Sequence, residues 1–190
     1  NHIAFLKNKY PNVSSLEVDL TPVFDTFVAQ VPPVEDNALA LANTRARLRM
    51  TTLYYFAGLQ GYMVVGTGNK IEDFGVGFFT KYGDGGVDVS PIGDLYKSEV
   101  YEVGRYLGVL PEILQAAPTD GLFGDDRTDE DQLGATYDEL EWAMRLVESG
   151  AEETHLTPRQ SQVLAIFKRL NKANQHKMIP IPVCRVNREE

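Results

Sequence analysis

MVVGTGNKIEDFGVGFFTKYGDGGVDVSPIGDLYK, residues 63–97, decides how the rest of the chain is read. It opens as a short apolar strand over 63–65. The strand breaks at Gly66-Thr67-Gly68, where the backbone can turn tightly and leave N–H groups free for an anion. Glu72 follows within one helical turn. Then come Gly77-Phe78-Phe79, Lys81, a glycine turn carrying Asp84 and Asp88, and Lys97 at the start of the next helix. A core strand does not need this mixture. A loop at the carboxyl end of a parallel strand that handles a charged nucleotide does.

On the amino-terminal side, residues 35–60 predict one long helix that is apolar nearly all round. Such a helix is buried on more than one side, and part of it is expected to face a second copy of the chain. At 100° per residue, Arg45 and Arg49 share a face and Arg47 points roughly opposite, so the three cannot serve one ligand. Upstream, residues 15–20 (SLEVDL) alternate as a strand does. Thr21-Pro22 then starts a helix reaching Gln30. Residues 3–9 read as the tail of an amphipathic helix.

On the carboxyl-terminal side, helices are expected over 95–108, 111–116, 137–148 and 158–173. Residues 118–133 form a long polar, glycine-containing connection with the character of a lid. The tail over 175–180 is read as ending in irregular chain. Strands joined by a long helix imply a parallel sheet with helices on its faces, an α/β arrangement in one domain over 1–190. Only two strands are legible, which suggests missing chain; the start at Asn1-His2-Ile3 in place of Met reads as either a processed start or a piece of a longer chain.

Composition narrows the function classes. A net charge of −9 argues against a nucleic-acid surface. Mean hydropathy is −0.24, ordinary for a globular protein. No apolar run approaches the roughly 20 residues of a membrane span. The single cysteine, Cys184, leaves no internal disulfide and fits a reducing cytoplasm. Three His and one Cys give no zinc cluster. Charge is uneven: 98–153 holds fifteen acidic residues against three basic, while six basic residues lie within 45–97, around the glycine-rich turn.

NTRARLRM, VVGTGNKIED, GFFTKYGDGGVD, P-x-x-x-L-x-K, PTDGL and D-x-x-LGATYDELE, in that order, resemble ammonia-dependent NAD synthetase, with matching spacing from about Asp19 to Lys177. The resemblance implies a Rossmann-like sheet of the adenine nucleotide alpha-hydrolase type, here lacking its first strands. It implies amidation of deamido-NAD to NAD with ATP and ammonia as co-substrates, magnesium as cofactor, and a homodimer through the helix over 35–60. Carried over by position, Arg47, Lys81, Asp88, His176 and Lys177 resemble contacts to deamido-NAD. Thr67, Lys97 and Thr119 resemble contacts to ATP, with Lys97 and Thr119 nearest the chemistry. Glu72 resembles a magnesium ligand, since a hard cation bridging phosphates suits a carboxylate. Of Phe78 and Phe79, at least one is expected in the core and the other could stack on an aromatic ring.

One family motif has no counterpart. The phosphate-gripping Ser-Gly-Gly-x-Asp-Ser does not occur in these 190 residues. This leaves a non-catalytic deamido-NAD-binding or dimerisation piece as the alternative. A relative of GMP synthetase is a third reading, disfavoured by GFFTKYGDGG. Cys184 has no nucleophile context, so ammonia is expected from solution or from another domain.

Overall fold

The computed structural model describes residues 2–123 and 127–186. Eight α-helices are present among them: α1 His2–Lys9, α2 Thr21–Gln30, α3 Ala38–Gln60, α4 Lys97–Leu107, α5 Pro111–Leu114, α6 Asp129–Leu133, α7 Tyr137–Ser149 and α8 Pro158–Met178. A single π-helical turn, Ile71–Val76, sits between α3 and α4.

The core lies where α7 and α8 pack against the π turn. Leu140, Ala143 and Met144 of α7 meet Val163, Leu164 and Phe167 of α8, with Ile71 and Val76 closing the cluster. The helix starts follow chemistry visible in the sequence. Thr128, Thr136 and Thr157 each accept a hydrogen bond from the backbone N–H three residues on, and Asp131, Glu139 and Gln160 return the favour. The start of α4 is capped from outside. Glu141 of α7 accepts from the backbone N–H and the hydroxyl of Ser98, both at 2.8 Å. A carboxylate belongs at that positive end, and it ties α4 to α7.

The π turn hangs from the carboxyl-terminal half of α8. Three side chains at three-residue spacing collect its carbonyls. Asn171 Nδ2 donates to Gly75 O and Asn174 Nδ2 to Val76 O, each at 2.8 Å. Lys177 Nζ donates to Gly77 O at 2.9 Å and Phe79 O at 2.8 Å. These contacts explain a departure from expectation. The last helix does not stop at Ala173: α8 runs on to Met178, because its last turns have a surface to bind, and the chain is irregular only after it.

The sheet differs more. Among the described residues β pairing is limited to one parallel bridge, Val65 to Val89, supported by Gly66 N–H on Val89 O at 2.7 Å and Asp88 N–H on Val64 O at 2.9 Å. The parallel sense is as expected; the extent is not. Residues 15–20 form no strand. A strand exists only with a neighbour to exchange hydrogen bonds with, and none of the described segments lies along this one. An apolar groove of about 840 Å³ separates it from Val64 and Val65, lined by Leu16, Val18, Leu53 and Phe56.

The long helix α3 is packed on more than one side, as expected, but less deeply than its apolar sequence suggests. Within this chain only Ala42, Ala46 and Ala57 are buried, while Leu53, Tyr55 and Leu59 stand 57%, 62% and 63% exposed. The chain supplies α2 against one face and the 80–88 turn against another, where Thr80 Oγ1 donates to Asn43 Oδ1 at 2.6 Å and Tyr54 OH to Asp88 Oδ1 at 3.0 Å, and leaves much of the rest open. The helix begins at Ala38 because Asp36, at φ 54°, turns the backbone just before it. No described helix is long and apolar enough to cross a membrane.

Candidate active site

Glu72 and Lys97 are 25 residues apart in sequence and in direct contact. Lys97 Nζ lies 2.8 Å from Glu72 Oε1, with side chains 18% and 15% exposed. Glu72 is on the first turn of the π segment, where buried Asn69 accepts the N–H groups of Ile71 and Glu72 on its Oδ1. Lys97 opens α4. Neither position is free to drift, because one is capped by Asn69 and the other by Glu141.

A third and a fourth group join the pair. Tyr137 OH donates to Glu72 Oε1 at 2.7 Å and lies 3.2 Å from Asp129 Oδ2. Its ring carries the Lys97 ammonium 4.5 Å from the centroid. Burial, and then the negative charge of Glu72, push the Tyr137 phenol far above its ordinary value, so it stays protonated. Asp129 is 8% exposed, and its Oδ1 is buried with no hydrogen-bond partner among the described residues. Burial raises its carboxyl. Asp129 N–H donates to Pro118 O at 3.0 Å, which brings Thr119, itself exposed, to the edge of the cluster.

The second group of predicted residues gathers around the glycine turn. Arg47 Nε donates to Lys81 O at 3.2 Å. Lys81 Nζ donates to His176 O at 2.5 Å. Lys177, beside it on the last turn of α8, reaches Gly77 and Phe79 as described above. Burial lowers its ammonium, and Asp84 works the other way. The arginines divide as helix geometry requires. Arg45 turns from Arg47, stacks over the Phe24 ring at 4.1 Å and donates to Leu122 O at 2.7 Å. Phe78 packs against the core and Phe79 lines a cavity of about 150 Å³ with Asp73, Asp84, Gly85 and Lys177.

Asp88 is not brought to either group. Its Oδ1 accepts from Tyr54 OH at 3.0 Å and its Oδ2 from Val64 N–H at 2.7 Å, so both oxygens serve the strand end and α3. Thr67 is exposed at the turn after Val65. Of the expected lid over 118–133, residues 124–126 lie outside the described residues; the rest includes α6. Asp120 holds the near end, accepting from Leu122 N–H at 2.8 Å and from Gln132 Nε2 at 3.2 Å.

The sequence profile of NAD synthase matches residues 4–180. The chain belongs to the NAD synthase family. Two NH(3)-dependent NAD(+) synthetases show the degree of relatedness. That of Methanococcoides burtonii is 42% identical over 166 residues, covering 84% of this chain and 62% of the relative. That of Carboxydothermus hydrogenoformans is 41% identical over 169 residues, covering 87% and 65%. The chain therefore spans under two thirds of the length of these relatives. Among solved structures, NMN synthetase from Francisella tularensis superposes with a TM-score of 0.78 at 29% identity, covering 97% of this chain and 72% of that one. NH3-dependent NAD synthetase from Campylobacter jejuni gives 0.67 at 27%, covering 88% and 64%. This NAD synthase family member thus shares the fold of those synthetases, although its own described residues carry only the Val65–Val89 bridge of a sheet.

Reading the sequence alone misses Tyr137, Asp129 and Asn69. Tyr137 follows a capping threonine on an amphipathic helix and reads as core. Asp129 reads as one more carboxylate of an acidic stretch. Asp73 is a further case. Its carboxylate leans on Gly68, where an added Cβ would lie 2.2 Å from Oδ1. Burial, with Glu72 and Asp84 nearby, raises it to about 6. Between about pH 4 and 6 the folded chain therefore binds more protons at this site than the unfolded one, and stability falls as pH rises through that window. Asp73→Asn is expected to be more stable than the parent at pH 7.5 by about 1 kcal/mol, discounted for partial exposure. At pH 4 the advantage is expected to vanish. Urea titrations at the two pH values measure the difference; an advantage of the same size at both would assign it to something other than this charge.

Proposed function

We propose that the protein amidates deamido-NAD to NAD, using ATP to activate the nicotinate carboxylate and ammonia as the nitrogen donor. The carboxylate attacks the α-phosphate, pyrophosphate leaves, and ammonia displaces AMP from the resulting acyl-adenylate. Membership of the family supports the reaction class. The observation that carries the site assignment is the Glu72–Lys97 pair, fixed between the π turn and α4 beside Tyr137.

The residues fit the work required. Carboxylate and triphosphate repel, so fixed cations are needed where charge builds up. Lys97 supplies one on a rigid helix start, with Thr119 beside the Asp129 cluster. Arg47, Lys81 and His176-Lys177 form a second, cationic rim suited to the acceptor dinucleotide. Among the described residues no three metal-ligating side chains gather. A magnesium ion shared with substrate phosphates needs only one or two protein carboxylates, so Glu72 suffices as the chain's own ligand. Magnesium, when bound, would neutralise phosphate charge there. Glu72 Oε2, with only Asn69 N–H at 3.4 Å, is the oxygen left for it. The exposed apolar face of α3 supports self-association through that helix. The Rossmann-like parallel sheet is proposed for the longer family fold.

A second acceptor has its own support. The superposition on an NMN synthetase favours a mononucleotide acceptor, nicotinate mononucleotide, for the same chemistry. The test uses the native polypeptide that carries this chain, with ATP, magnesium and ¹⁵N-ammonium, offered each acceptor in turn. The expected result is ¹⁵N-labelled NAD with one AMP per amide, faster than any labelled mononucleotide. Labelled mononucleotide alone would move the substrate to the second acceptor. AMP without amide from either would overturn the reaction.

A further inference from the structure

Glu72 has two oxygens in unequal surroundings. Oε1 takes both strong donors, Lys97 Nζ at 2.8 Å and Tyr137 OH at 2.7 Å. Oε2 has only the long contact from Asn69 N–H at 3.4 Å. A carboxylate held on one oxygen by two fixed donors presents the other in a defined direction. Lys97 alone cannot do this, because an ammonium acts as a point charge that attracts the carboxylate without setting its plane. Tyr137 can: its ring is buried in the core, and its only soft degree of freedom is the hydroxyl torsion.

The torsion is set by what lies on the other side. A phenol has one proton to donate. The shorter contact, 2.7 Å, gives it to Glu72, and Asp129 Oδ2 at 3.2 Å is the longer contact on the other side of the same hydroxyl. Three groups, from α6, α7 and the π turn, thus meet at one hydroxyl and act as one network.

We propose that Tyr137 is a positioning residue: its hydroxyl, seated between Asp129 and Glu72, holds Oε1 of Glu72 and so points Oε2 at the cation site. This rests on the reading above that Glu72 ligates a divalent cation. It also links the root of the 118–133 connection, through Asp129, to the orientation of the ligand.

Manganese serves as the probe, its binding to the native polypeptide followed by electron paramagnetic resonance in the presence of a non-hydrolysable ATP analogue. Tyr137→Phe keeps the ring and its contact with Lys97 and deletes only the hydroxyl. It is expected to raise the manganese dissociation constant about tenfold, the usual scale for losing a group that orients a ligand, with the thermal midpoint little changed. Asp129→Asn keeps a polar group of the same size against the Tyr137 hydroxyl and is expected to bind manganese within about twofold of the parent. Asp129→Leu removes that polar contact from the network and is expected to lose affinity, which keeps the test open should Tyr137→Phe fail to fold. Unchanged affinity in both Tyr137→Phe and Asp129→Leu would overturn the inference while leaving Glu72 as ligand. A loss in Asp129→Asn as large as in Tyr137→Phe would also overturn it, by making Asp129 a ligand. A parent that binds no manganese beside the nucleotide would remove both this inference and the reading it rests on.

Discussion

Lys97→Met is expected to slow ATP-dependent amidation by about 10²–10³-fold, the scale seen when one preorganised group facing developing charge is removed. Methionine preserves the length and apolar stem of the side chain, so the start of α4 keeps its packing. What goes is the cation 2.8 Å from Glu72. The variant is also expected to be less stable, because Glu72, only 15% exposed, is left without its ion partner. The two losses separate in the double variant Lys97→Met with Glu72→Gln. Removing the unpaired charge is expected to restore much of the stability and none of the rate. Initial rates and urea midpoints on both variants decide the matter. Recovery of rate along with stability in the double variant would reduce Lys97 to a counter-ion for Glu72.

Gly77→Ala is expected to destabilise the fold by about 3 kcal/mol or more. Gly77 sits at φ 63°, where a Cβ costs roughly 1–2 kcal/mol. An added Cβ would also lie 2.4 Å from Asn174 Cβ and 2.8 Å from Met178 Cε. The first of these is close to the backbone of a packed helix and cannot swing aside, so an overpacking cost of about 1–3 kcal/mol adds to the strain. The relief open to the chain is to lift α8 off the π turn, breaking the bonds from Asn174 and Lys177. Against a total stability of about 5–15 kcal/mol this is a large fraction. A urea midpoint giving a loss below 1 kcal/mol would show that the turn can relax without α8, contrary to the packing described.

The helices were legible because their signals are local. Thr136 with Glu139 and Thr157 with Gln160 announce their own caps, and the αL closures at Gly61, Gly108 and Gly150 mark the ends of α3, α4 and α7. The helical state of residues 175–178 was not legible, since the stabilising partners are carbonyls some hundred residues away. A strand over 15–20 failed for the converse reason. Alternation reports that a segment could pair, and pairing needs a neighbour that the segment does not contain. In the site, Glu72, Lys97, Arg47 and Lys81 stood out through their place in recognisable motifs. Tyr137 and Asp129 did not, because a tyrosine on an apolar helix face and an aspartate in an acidic run look the same whether or not they meet a ligand.

The grip of α8 on the π turn is metrical. Asn171, Asn174 and Lys177 are three residues apart and meet carbonyls that follow one another along the turn. One residue inserted between them would rotate those beyond it by 100° and carry them off the row. Spacing along the last two turns of α8 is therefore under tighter constraint than the identity of the residues between. In a set of functional variants, substitutions at 172, 173 and 175 should be common, and single-residue insertions or deletions from 171 to 177 absent.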